Sequence, residues 1–300
     1  LLWLLPLCLL QQISARATTT TICLSKQISI NEFINAAPLV EHTLSTQGSI
    51  AHFLRFTTMQ PEQLIIIATL TIGASFVQRV SGFGFGIFIM TMLPYLMPSY
   101  GEATTLSGLL ASVTSLFVVI RMHRHIVWRK LWTILGAFSV FSFFAVALVS
   151  TLDNHLLKKI LGVILILVSI YFLFLRSRIS LKPSTPVQLS MGSLSGLMGG
   201  FFGMQGPPAA LYFLAASKSK EEYLALSQIY FFLGNMVMTA FRYGNGLFTL
   251  NVGKAFACGI LAVGIGAWLG SKVFSLLSQT SLQRIVYAYI GISGIVALAI

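Results

Sequence analysis

Gln78, Arg79 and Ser81 run into Gly82, Gly84 and Gly86, and Gln205 sits among Gly203, Gly206, Pro207 and Pro208. Both clusters lie inside long apolar stretches. Glycine adopts backbone dihedrals that other residues avoid, and proline removes an N–H, so each cluster is expected to interrupt a helix. A helix that restarts beyond such a break points unpaired N–H groups and a partial positive charge into the space before it, which suits an anion. Ser81, Gln78, Gln205 and, further along, Asn235 add neutral hydrogen-bonding groups. Arg79 is the only basic residue deep in an apolar segment, and an ionisable group at that depth is a candidate for substrate contact. Its bland alternative is to snorkel or to hold carbonyls at the break. The chemistry expected is binding rather than turnover. No Asp or Glu lies deep within an apolar segment to relay a proton, and no His-Glu-x-x-His or paired membrane aspartates support proteolysis. The chain reads as a non-enzyme without cofactor or metal, because Cys8, Cys23 and Cys258 have no metal-ligand spacing.

The elements that must carry these residues are membrane helices. Hydrophobic residues make up 56% of the chain and charged residues only 9%. Eight apolar segments approach the length that crosses about 30 Å of hydrocarbon: 64–97, 102–120, 131–150, 156–175, 187–217, 222–241, 253–271 and 283–300. Continuous apolarity excludes barrel strands, so the fold class is an all-α polytopic membrane protein. Segments 64–97 and 187–217 are each too long for one simple span. They hold the two glycine clusters, and a shift of 121 places Gly82 on Gly203 with the flanking text in register. Broken hydrophobic segments at matching places in two halves point to a transporter's binding site. Gly192, Gly196 and Gly200 recur every four residues and are read instead as a helix-packing ladder.

The formal net charge of +12 does not indicate nucleic acid, since most Lys and Arg fall in short loops where they set orientation. With single crossings of the long segments, the face carrying loop 121–130 holds ten of sixteen basic residues between Arg55 and Arg284, Arg79 set aside. With hairpins it holds eleven, so the positive-inside rule leans toward hairpins. A hairpin plus three spans makes an odd-spanning half, and two such halves are inverted repeats. Glu102, Arg242, His123 and His125 are expected at interfaces or in loops. The expected organisation is a leader over 1–17 ending in Ala15-Arg16-Ala17, a polar extracytoplasmic connector over 18–63 with room for an amphipathic helix near 31–44, a first repeat over 64–175 and a second over 187–300.

Phe76-Val-Gln78 before Ser81-Gly-Phe-Gly-Phe-Gly86, Pro94 downstream, and Gly196 through Gly203-Met-Gln-Gly-Pro-Pro208 resemble the TauE/SafE family of sulfite exporters and anion permeases. The resemblance covers roughly 64–300. It implies a plasma-membrane, multi-pass permease for sulfite, sulfonates or related organosulfur oxyanions, with membrane lipid and the small anion as partners and no nucleic acid. It carries over the motif glycines and Gln78 as site-lining positions, whereas Arg79 and Gln205 rest on the argument above. Arg79 and the long N-terminal region depart from the family's pattern. Alternating access around the two breaks is the expected mechanism; the competing reading is a membrane assembly or scaffold protein whose breaks serve packing alone. The sequence leaves oligomeric state, direction and coupling ion open.

Overall fold

The computed structural model describes residues 59–149, 151–175, 181–274 and 279–299. The expected leader, the amphipathic helix and the connector up to residue 58 lie outside them. Among the described residues the chain is helical, with no strand. The first run of helices is α1 (Pro61–Ser81), α2 (Phe85–Ile89), α3 (Leu93–Leu96), α4 (Tyr100–Met122), α5 (Trp132–Val149) and α6 (Asn154–Ile170). The second is α7 (Thr185–Phe202), α8 (Gly206–Ala216), α9 (Lys220–Gly244), α10 (Leu250–Phe274) and α11 (Gln279–Ala299). Six helices, α1, α4, α5, α6, α9 and α10, are long and apolar enough to cross a membrane.

Local chemistry sets the boundaries. Proline opens α1 at Pro61 and α7 at Pro186, where its missing N–H costs nothing. Ser99 and Ser219 cap α4 and α9, their hydroxyls accepting from the amides of Glu102 and Glu222 at 3.1 Å each. The ends that matter most are Gly82 and Gly203. Both adopt the left-handed conformation, with φ of 81° and 67°, and both donate back to the carbonyl four residues earlier. Helix then resumes at Phe85 and at Gly206. The 121-residue shift thus matches stop to stop and restart to restart.

Helix pairing follows the same correspondence. α1 packs on α10, and α7 packs on α5; α4 lies against α9, and α6 against α11. Glycine makes each approach close. A methyl at Gly192 would lie 2.6 Å from the Ile134 carbonyl oxygen and one at Gly196 2.6 Å from that of Phe138, while Gly200 abuts Ala145. The 192–200 ladder is therefore a packing face against α5. On α10, Gly266 abuts the Ile72 carbonyl and Gly270 lies against Phe76 and Arg79.

These contacts also fix direction. Along α5 and α7 they advance together, as they do along α1 and α10, so both pairs are parallel. From Gly101 to Thr104 to Gly108, α4 meets Leu247, then Arg242, then Asn235, so α4 and α9 are antiparallel. Gly162 faces Gly294 and Ser169 faces Gly291, so α6 and α11 are antiparallel too.

Candidate functional site

The two breaks meet. Gly86, in the first turn of α2, lies so close to the Gly203 carbonyl that no side chain could stand there, and Phe83 packs on Gly206. A small cavity of about 30 Å³ remains beside this junction. Its wall comes from the backbone of 84–87 and 203–206, and from Ala111 and Ser115 on α4 and Phe231 and Asn235 on α9, with Gln78 and Phe83 closing it. Ala111, Phe231 and Asn235 lie in the middle third of their helices and Ser115 at its edge. The cavity is therefore at mid-height between two spanning helices.

Its polar groups are neutral amides and a hydroxyl. Gln78 Nε2 donates to Ser115 Oγ at 3.2 Å and to Gln228 Oε1 at 3.3 Å, and Gln228 Nε2 donates to the Gly82 carbonyl at 2.6 Å. Gln228 thereby satisfies a carbonyl at the end of α1 that the helix itself leaves without a partner. At the second break, Ser195 Oγ donates to the Gln205 carbonyl at 2.5 Å and Gln205 Nε2 donates to the Phe231 carbonyl at 3.0 Å. Gln205 Oε1 has no partner although the residue is buried. Asn235 is 3% exposed, and among the described residues its carboxamide makes no hydrogen bond. Buried amides normally find partners; the free atom of Gln205 is an acceptor turned toward Gly234, whereas the Asn235 carboxamide is at the cavity wall.

Of the residues singled out from the sequence, Gln78, Gly84, Gly86, Gly203, Gln205, Gly206 and Asn235 line this cavity together. Gly82 and Pro207 shape the two breaks without lining it, and Ser81 Oγ turns back to the Val77 carbonyl at 2.7 Å. Arg79 is elsewhere. One residue of helix turns its side chain about 100° from Gln78, toward α10 and an exposed surface, where Nε donates to Ser271 Oγ at 2.8 Å. The double proline also limits what α8 can offer. Pro207 and Pro208 have no N–H, so only Gln205 and Gly206 keep free-standing amide donors at that helix start.

Ser115 and Gln228 were not picked out from the sequence, because a lone Ser or Gln in a span carries no motif. Arg242, expected at an interface or in a loop, lies in the last turn of α9. It is fully buried, and its guanidinium reaches the carbonyls of Thr104 and Gly199 at 2.9 Å each. His123 and His125 are exposed in a short 3-10 turn, as expected.

The family model for the sulfite exporter TauE/SafE matches residues 65–297, most of the chain and all of the helical assembly around the cavity. The chain belongs to the TauE/SafE family. No curated protein and no solved structure gives a match. As a TauE/SafE protein with six helices able to span, it is a multi-pass membrane transporter, and the family is one of transporters rather than enzymes.

Proposed function

We propose that this TauE/SafE protein moves compact sulfur oxyanions, sulfite or small sulfonates, across the plasma membrane by alternating access around the junction of the two breaks. The observation that carries the reading is the mid-height cavity where the Asn235 carboxamide and the Ser115 hydroxyl meet the backbone of both breaks. Its volume of about 30 Å³ takes roughly two waters, so a sulfite must widen it on entering and a long tail finds no room. Asn235 Nδ2, Ser115 Oγ and the Gly206 amide are the donors for the oxyanion; Gln78 and Gln228 hold the first break in place.

The two halves are read as inverted repeats, each a hairpin followed by three spans. In support, the corresponding helices α4 and α9 run antiparallel, as do α6 and α11, and Gln188 near the start of α7 shares Lys130 with Ala216 at the end of α8. Alternating access then consists of rocking one break with its parallel partner, α1 with α10 or α7 with α5, about the fixed α4–α9 pair. An inside-negative potential drives a monovalent anion outward with about 2.3 kcal/mol per 100 mV, so export needs no proton-carrying carboxylate.

The test is flux of sulfite and methanesulfonate in reconstituted vesicles with an imposed potential. Saturable efflux that Asn235→Leu abolishes, with insertion intact, is expected. Absence of anion flux, together with no thermal stabilisation by any oxyanion, favours the scaffold reading instead.

A further inference from the structure

Arg242, on α9, is the bulkiest fully buried side chain among the described residues. Nη1 donates to the Thr104 carbonyl at 2.9 Å; Nη2 donates to the Gly199 carbonyl at 2.9 Å and reaches that of Gly200 at 3.4 Å. Its Nε has no partner. Among the described residues no carboxylate pairs with it. A buried cation answered only by neutral acceptors is costly, and the cost is normally met by a counter-charge.

Part of the answer is helical. Gly199 and Gly200 are in the last turn of α7, whose aligned carbonyls carry about half an elementary negative charge. The remainder of the guanidinium charge stays uncompensated. Capping α7 would need only a neutral donor, as Gln228 shows by capping α1 at Gly82. Arg242 is the more expensive choice, and its position gives the reason. A methyl at Gly108 would touch both Arg242 Nη1, at 3.0 Å, and Asn235 Oδ1, at 3.6 Å, so the charge lies one side chain behind the cavity wall.

We infer that Arg242 supplies the positive field that selects an anion in the cavity, acting from behind Asn235 without touching the substrate. This rests on the proposed function and adds the source of its charge selectivity. A substrate anion completes the pairing that the protein leaves open, so the loaded site approaches neutrality. At a separation of about 7 Å and an effective dielectric near 20, a unit charge half offset by a helix end changes anion affinity by roughly tenfold.

The experiment measures binding of methanesulfonate and of its neutral near-isostere methanesulfonamide to the purified full chain in nanodiscs. It compares the wild type with Arg242→Gln and Arg242→Lys. The wild type is expected to prefer the sulfonate by about tenfold or more. In Arg242→Gln sulfonate binding weakens by about that factor while sulfonamide binding does not move, and Arg242→Lys keeps most of the preference. An unchanged preference in Arg242→Gln, or its loss in a folded Arg242→Lys, overturns the inference. If the Gln variant does not fold, the Lys variant alone decides by the same criterion; if neither folds, Arg242 is a structural pin and the inference falls. A wild type that binds neither compound nor sulfite overturns the proposed function instead.

Discussion

Lys130 donates to Glu222 across 2.6 Å, and the same ammonium donates to the Ala216 carbonyl at 2.7 Å while the Lys130 carbonyl accepts from Gln188. One residue between α4 and α5 therefore touches the start of α7, the end of α8 and the start of α9. If 187–217 crossed the membrane once, its two ends would be a bilayer apart. The expected outcome is that Lys182→Cys and Lys218→Cys, each in a background where Cys8, Cys23 and Cys258 are serine, react with an impermeant maleimide from the same face. Asn245→Cys reacts from the other. Labelling of residues 182 and 218 from opposite faces rules out the hairpin. Removing Arg242, which is buried, from the loop charges also widens the basic excess on the Lys130 face.

Gly86 against the Gly203 carbonyl gives a prediction about the junction itself. A Cβ at residue 86 meets backbone, which cannot rotate away as a side chain would. Gly86→Ala must push the breaks apart, and small-to-large changes in packed sites cost about 1–3 kcal/mol. Sulfite flux is expected to fall to background while the variant still inserts, with a lowered melting temperature. Gly253→Ala on α10, where nothing lies within 4 Å, serves as the control and leaves flux unchanged.

Neighbouring residues on α1 separate two roles. Gln78 lines the cavity and is tied to Ser115 and Gln228; Arg79 faces Ser271 and the exterior. Arg79→Ala is expected to keep the KM for sulfite within about twofold, because a screened outward charge contributes little. Gln78→Ala leaves Gln228 without its partner at the cavity and raises KM by about tenfold, the size of one lost buried hydrogen bond. A large KM effect of Arg79→Ala with none from Gln78→Ala would reverse this assignment of the helix faces.

The two glycine clusters are legible in the sequence as places that favour an interruption, and Gly82 and Gly203 take the left-handed conformation that glycine allows. The paired prolines mark the second cluster, but the residue at which helix resumes, Gly206, comes from the structure. What periodicity could not supply was azimuth within an all-apolar segment. Gln78 and Arg79 are equally polar intruders there, and only the packing of α1 on α10 decides which one faces inward. The burial of Arg242 is illegible for a related reason: sequence does not say whether an antiparallel neighbour covers the residue. Here α4 covers it, with Gly108 leaving room for the guanidinium.

Two glycines on α10 turn the packing argument into a difference of sign. Gly264 has nothing within 4 Å of a would-be Cβ, whereas a would-be Cβ at Gly266 meets the Ile72 carbonyl and stands 2.7 Å from Ser75 Cβ. The same chemical change is therefore expected to act in opposite directions on one helix. Gly264→Ala removes backbone freedom from the unfolded chain and adds no clash, stabilising by up to about 1 kcal/mol. Gly266→Ala forces α10 away from α1 and destabilises by about 1–3 kcal/mol. Thermal unfolding in one detergent, monitored by tryptophan fluorescence, should show the midpoint rising for the first and falling for the second. Flux should fall only for the second, because α1 carries the first break to the cavity. Equal shifts in the two variants would mean that α1 and α10 do not pack through this face.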